Sequence, residues 1–241
     1  MRVALFVTCL VDQYFPKVAE AVVDLLAMKG VTVAFPARQT CCGQPAFNNG
    51  YTAEARTVGK TLVQAFDGFT HVVTPSGSCA GMIRHYYPEL FAGTPDHEAA
   101  TALAAKTYEF TEFVTHVLGD PDFGAIFPHR AVYHTGCHGA RLLGLRDEPL
   151  ELLAKVKELD LVPLPFAQDC CGFGGTFAVK FANLSVAMAT EKARNVTETG
   201  ANVLVGTDVG CLMNIGGVLR RQDSPIRVLH LAELLHEGTR R

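Results

Sequence analysis

Two sets of four cysteines recur along this 241-residue chain, and together they use every cysteine in it. The first set is Cys9, Cys41, Cys42 and Cys79; the second is Cys137, Cys170, Cys171 and Cys211. In each, a single cysteine is followed, after 31 or 32 residues, by Cys-Cys-Gly, and a last cysteine closes the set. Thiolates ligate metals, form disulfides or attack as nucleophiles. Four thiolates are what a [2Fe–2S] or [4Fe–4S] cluster takes, so a duplicated array of this kind points to iron–sulfur clusters, here [4Fe–4S], with all eight cysteines as ligands. Adjacent cysteines can reach different irons of one cluster. The glycines after them, Gly43 and Gly172, permit positive φ and bring backbone amides to the sulfurs. Such amides stabilise negative charge on a cluster and raise its potential. The second loop, CCGFGG, is richer in glycine than the first, CCGQPA, so the two sites are not expected to be electronically identical.

Other metals and other thiol chemistry fit less well. Zinc sites normally use close CxxC pairs, and redox or catalytic thiols are usually found in CxxC or beside a base. A zinc or thiol-switch protein stays open as the alternative. Around the cysteines, His134, His138 and Asp208 could tune a cluster or relay protons, or simply hydrogen-bond locally. Phe173 and Phe177 could shield the second site or belong to the core. Arg141 and Lys180 could offset thiolate charge or be solvated.

The elements that must position these residues are repeated as well. VALFVTC (3–9) matches AVYHTGC (131–137), CCGQPAFNNG (41–50) matches CCGFGGTFAV (170–179), and THVVTPSGSC (70–79) matches ANVLVGTDVGC (201–211). The offset stays between 128 and 132 residues, which divides the chain into a first repeat at 1–118 and a second at 130–241. Gly119–His129 reads as a linker within one compact unit. Val31–Phe35, Val72–Thr74 and roughly Leu161–Leu164 read as strands. Pro16–Lys29, Thr52–Phe66, Pro149–Leu159 and Asn183–Thr199 read as helices. The faces expected to be buried are Val18, Val22, Leu25 and Leu26 in the first and Ala55, Val58, Leu62 and Phe66 in the second. Leu150, Leu153 and Val156 form the apolar face of the third. Strand–helix alternation predicts an α/β fold of two pseudo-symmetric repeats of βαβ units with parallel sheets. Cys9, Cys79, Cys137 and Cys211 then fall at the C-terminal ends of strands, where open α/β sheets bind ligands.

Bulk properties restrict function. Net charge is −3 and no basic stripe stands out, which argues against nucleic acid. No apolar run reaches the 18 residues of a transmembrane segment. The N-terminal MRVALFVTC reads as a first strand and not a signal peptide, so the expected location is the cytoplasm, where thiols stay reduced. The terminal Arg240-Arg241 pair is expected to fray.

YHTGCHGARLLG (133–144), CCGFGGTFAVK (170–180) and TDVGCLMNIGG (207–217) resemble the cysteine-rich CCG-domain proteins. That family includes the cysteine-rich component of heterodisulfide reductase, the iron–sulfur subunits of glycolate oxidase and anaerobic glycerol-3-phosphate dehydrogenase, and the lactate-utilisation protein A group, which the whole chain resembles most. The resemblance implies an oxidoreductase subunit that is inactive alone. It would transfer electrons in a cytoplasmic complex oxidising L-lactate to pyruvate, and would receive them from a second iron–sulfur subunit, since the chain has no CxxCxxC run of its own. The alternative implied by the family is a catalytic iron–sulfur subunit of the heterodisulfide reductase kind. There, a further cysteine follows three residues after the last of each repeat; here those positions are Met82 and Asn214, so a five-thiolate site is not expected.

Overall fold

The computed structural model describes residues 1–240; Arg241, half of the pair expected to fray, lies outside the described residues. Eight short strands form two all-parallel sheets of four. The first holds β1 (Arg2–Leu5), β2 (Thr32–Ala34), β3 (Val72–Thr74) and β4 (Thr107–Glu109) in the order β2-β1-β3-β4. The second holds β5 (Arg130–His134), β6 (Asp160–Val162), β7 (Val203–Gly206) and β8 (Arg227–His230) in the matching order β6-β5-β7-β8. Central strands are buried along their length because helices cover both faces, which is why they read as unbroken apolar runs. The edge strands β2 and β6 are the more exposed.

The helices follow their apolar periodicity, with instructive departures. Pro16–Met28 starts on its proline, and Gly30, at φ 71°, turns the chain out after the cap at Lys29. All four expected residues of its face are buried. Thr52–Ala65 turns slightly from its expected face: Val58 is half-buried, and Gly59 lies inward instead, under the rings of Tyr87 and Phe91. Pro149–Leu159 is not helical throughout. The helix runs Glu148–Ala154 with Leu150 on its exposed side, and it stops before Lys157, which bridges Ile126 from the linker. Asn183–Thr199 becomes Ala182–Glu198, capped at Thr199.

A shared core joins the sheets. Leu5, Leu25, Leu26, Phe110 and Phe113 pack with Tyr133, Leu152, Val205, Leu231 and Leu235 in one cluster. The strands missing from the sequence reading, β4 and β8, carry matched devices. Glu109 and His230, each 1% exposed, end their strands and begin the next helix as reciprocal capping boxes with Glu112 and Glu233.

Burial moves these two groups in opposite directions, Glu109 up to about 8 and His230 down to about 4. Glu109 is therefore protonated in the fold at pH values where the unfolded chain is ionised. The stability this provides is complete below its ordinary value of 4.5 and is lost as pH rises towards 8. Glu109→Gln is expected to flatten that loss and to stabilise the chain at pH 8 by about 1–2 kcal/mol. Urea unfolding at pH 5 and pH 8 checks it; an unchanged pH slope would show that Glu109 does not titrate in this window.

Candidate metal centre

In both sheets the strand order reverses between the two central strands, at β1/β3 and at β5/β7. Such a switch point leaves a crevice at the carboxyl ends of the strands. Cys9 opens the helix Cys9–Tyr14 just beyond β1, and Cys79 sits in the helix Gly77–Gly81 just beyond β3. Cys137 opens Cys137–Arg141 beyond β5, and Cys211 lies in the first turn of Val209–Arg221 beyond β7. The CCG loops reach the same crevices from the edge strands. The first is tied down by Gln39, which donates to the Leu5 carbonyl at 3.1 Å and accepts from the Val7 amide at 2.8 Å.

Sulfurs then come into contact. Cys9 and Cys41 stand 3.7 Å apart, Cys42 and Cys79 3.4 Å, and Cys171 and Cys211 3.0 Å; no disulfide joins any of them. Gly43 and Gly172 adopt φ of 80° and 79°, and each amide donates to the first sulfur of its pair, Cys41 or Cys170, at 3.4 Å. A side chain at either position would strike the following helix: a Cβ on Gly172 would lie 2.7 Å from the Ser185 carbonyl oxygen, and one on Gly43 3.0 Å from that of Ala55. The second cysteine of each pair is held by its own carbonyl, which accepts from Tyr87 Oη at 3.0 Å in the first repeat and from Asn214 Nδ2 at 2.8 Å in the second. Asn214 therefore positions the loop from the place that a fifth cysteine takes in the longer pattern.

The two repeats interlock at this end. The Cys9 helix packs on the Cys211 helix of the other repeat, and the Cys137 helix on the Cys79 helix. The second contact is so close that a Cβ on Gly77 would lie 3.1 Å from Gly139 Cα. Asp208 joins the halves chemically. Its Oδ1 caps its own helix through the Gly210 amide at 3.1 Å, while Oδ2 accepts from the Ser78 amide at 2.9 Å and from Ser76 Oγ at 3.3 Å. Across the mouth, Asn49 of the first CCG loop bonds Thr176 and Lys180 beside the second. One cavity of about 380 Å³ results, and all eight cysteines line it, with Ser76, His138, Phe173 and Asp208. A larger but shallower hollow of about 520 Å³ along Pro16–Met28 contains no cysteine, and its lining of Asp12, Glu20, Asp24 and apolar residues presents no comparable chemistry.

The electrostatics suit a bound cation. Cys41 is drawn down to about 3 by hydrogen bonds from Cys42 and Cys9, and Cys170 to about 2 by those from Cys137 and Cys171. The donating thiols Cys9, Cys42, Cys137 and Cys171 are pushed up by those same bonds and by burial. Four crowded thiols thus keep protons between them, because so many thiolates cannot share one site unaided. Held by these cysteines, a metal core would supply the missing positive charge in place of those protons. The donor set fits such a group.

Of the remaining flanking residues, His138 Nδ1 stands 3.5 Å from Cys137 Sγ, and Phe173 lines the cavity. Phe177 stacks on Phe181, 5.4 Å between ring centres, and is not part of the lining. Arg141 and Lys180 make their bonds to Gln168 and Asn49, not to sulfur. His134 is 1% exposed, and no protein nitrogen or oxygen pairs with either ring nitrogen; a ring nitrogen lies within 4.8 Å of the Cys171 and Cys211 sulfurs. Cys211 falls to about 7, first through its bond with Cys171 and further through His134.

Lys192 escaped the sequence reading because lysine inside an amphipathic helix is normally solvated. It is 2% exposed, donates to the Phe166 carbonyl and feels the charge of Asp169, Cys171, Cys211 and Cys170, although burial lowers its affinity for the proton. The signal that could have found it is the repeat itself, which aligns Lys192 with an apolar residue.

Known proteins resemble this arrangement closely in sequence. A family model described as a cysteine-rich domain, CCG, matches residues 3–84 and again 131–216. The chain is 50% identical over 239 residues to lactate utilization protein A 1 of Bacillus anthracis, with 99% of each chain covered. It is 53% identical over 237 residues to lactate utilization protein A of Geobacillus kaustophilus, covering 98% of this chain and 99% of the other. Among solved structures, glutamate racemase RacE1 of Bacillus anthracis aligns over 98% of this chain and 79% of its own, at 9% identity and a TM-score of 0.38, too low to bear on function.

Proposed function

Because the chain belongs to the cysteine-rich CCG-domain family, we propose that it is an iron–sulfur electron carrier serving the oxidation of L-lactate to pyruvate. The observation that carries the iron–sulfur reading is the gathering of two complete four-cysteine sets around one cavity. Lactate enters through the relatives' names. Cys9, Cys41, Cys42 and Cys79 hold one cluster and Cys137, Cys170, Cys171 and Cys211 the other. When bound, such clusters take up and release single electrons without making or breaking bonds to a substrate.

The chain's own residues do the rest. The amides of Gly43 and Gly172 hold hydrogen bonds on sulfur. Buried Cys42, Cys79, Cys171 and Cys211 face away from water, while Cys170 is exposed and marks the side from which a partner approaches. We place the protein in the cytoplasm with a second iron–sulfur subunit that exchanges electrons with it. No helix among the described residues is long and apolar enough to cross a membrane.

Deleting the protein is expected to abolish growth on L-lactate and to spare growth on pyruvate. A Cys171→Ser copy, although expressed, should not restore it. Normal growth on lactate without the protein, in a strain lacking any parallel lactate dehydrogenase, would refute the physiological assignment.

The cavity shared by the two sets also favours a second reading, chemistry on a small molecule held between them. Turnover of a thiol–thiol disulfide by the isolated iron-loaded chain would favour that reading; no turnover would favour the carrier.

A further inference from the structure

The duplication serves as an internal control, because each position of the second site has a counterpart in the first. His134 closes β5 three residues before Cys137, and the corresponding residue three before Cys9 is Phe6. Both are fully buried, but Phe6 is a hydrocarbon ring packed edge-on against Phe66, whereas neither nitrogen of His134 meets a protein nitrogen or oxygen at hydrogen-bond distance, and the groups within its reach are the sulfurs of Cys171 and Cys211, within 4.8 Å. The phenyl ring in the first repeat shows that packing at this place does not require an imidazole. A buried imidazole N–H is disfavoured unless an acceptor meets it, and here the acceptors at hand are cysteine sulfurs.

A second position tells the same story. Gly43 lies against the Ala55 carbonyl and Gly172 against that of Ser185, so these residues correspond. Seven residues further along each helix stand Leu62, fully buried, and Lys192, 2% exposed. Lys192 lies within electrostatic reach of Cys170, Cys171 and Cys211. Behind the first set these two positions are hydrocarbon, whereas behind the second they are a buried imidazole and a buried lysine.

We propose that His134 and Lys192 make the second site the more easily reduced of the two, so that electrons pass from the first cysteine set to the second. An imidazole N–H within reach of the Cys171 and Cys211 sulfurs and a nearby lysine both favour the extra negative charge of the reduced site. The four thiolates of the second set complete its ligation, so His134 acts as a hydrogen-bond donor and not as a ligand. In the transfer, one electron leaves the first site, which is oxidised, and reduces the second. A one-electron iron–sulfur partner resupplies the first site, and a one-electron acceptor drains the second. No bond is made or broken.

This inference rests on the iron–sulfur reading, and the test separates the two. The full chain is loaded with iron and sulfide anaerobically and its reduction is followed potentiometrically by absorbance and EPR. Two midpoints are expected, the higher one retained in Cys42→Ser, which keeps only the second site. His134→Phe, which copies Phe6, should lower the higher midpoint with the iron content unchanged, and Lys192→Met should lower it independently. His134→Gln, which keeps a donor, should lower it less than His134→Phe. The lower midpoint should not move in any of the three. Iron loss from the second site of His134→Phe would make the residue a ligand and overturn the proposal. So would midpoints that ignore both substitutions, or a higher midpoint that belongs to the first site. Failure of the unaltered chain to take up iron and sulfide would instead remove the iron–sulfur reading, and this proposal with it.

Discussion

The Cys42→Ser chain is expected to hold roughly half the iron and acid-labile sulfide of the unaltered protein, and Cys171→Ser the same, with the opposite site loaded in each case. These two cysteines are the most deeply buried of their sets, at 2% exposure each, and each touches the last cysteine of its own repeat. A serine hydroxyl there is a much poorer ligand for cluster iron than a thiolate, so the expected effect is loss of that site's iron. Because the eight cysteines face one cavity, the experiment also has a sharp alternative outcome. If either substitution empties everything, the halves share one cluster between them. Zinc bound in place of iron, without sulfide, after strictly anaerobic preparation would end the iron–sulfur reading.

Asp208→Ala is expected to damage both sites at once. The substitution removes the cap of the Cys211 helix and the acceptor for Ser76 and Ser78, which begin the Cys79 helix. Loss of an N-cap costs about 1 kcal/mol, and donors stranded at the interface cost about 1–3 kcal/mol more. Stability should therefore fall by about 2–4 kcal/mol in urea unfolding, and the iron of both sites should drop. Asp208→Asn keeps an acceptor oxygen and should fall between the two. Iron lost only from the second site would show that Cys79 is positioned without help from across the interface.

Much of this architecture was legible in the sequence because the repeat announces itself three times, at VALFVTC, at CCG and at the last cysteine of each half. Val72–Thr74 coincides with β3, and the helix from Pro16 forms with its expected face buried. The CCG glycines have the positive φ their position suggested. What escaped was set by contacts distant in sequence. The strands β4 and β8 are three and four residues long, and their ends are marked by a buried glutamate and a buried histidine, neither of which reads as strand. The break after Ala154 precedes a pairing of Lys157 with Ile126 that no local pattern encodes. The roles of Gln39, Tyr87 and Asn214 depend on carbonyls and amides of residues more than thirty positions away. Likewise, Asp208 was noted as a neighbour of cysteine, but its bonds to Ser76 and Ser78 arise only where the repeats meet.

The crosswise seating of the four cysteine helices, first on last and last on first, is the contact pattern that two identical chains make about a twofold axis. A single repeat on its own would leave both of its cysteine helices without their partners. The surface joining the repeats thus has the geometry of a twofold subunit interface, and two identical repeats seated on it would carry two equivalent sites. Within one chain the two copies need not match. Phe6 and Leu62 in one copy therefore stand opposite His134 and Lys192 in the other, a difference that no symmetric dimer can hold.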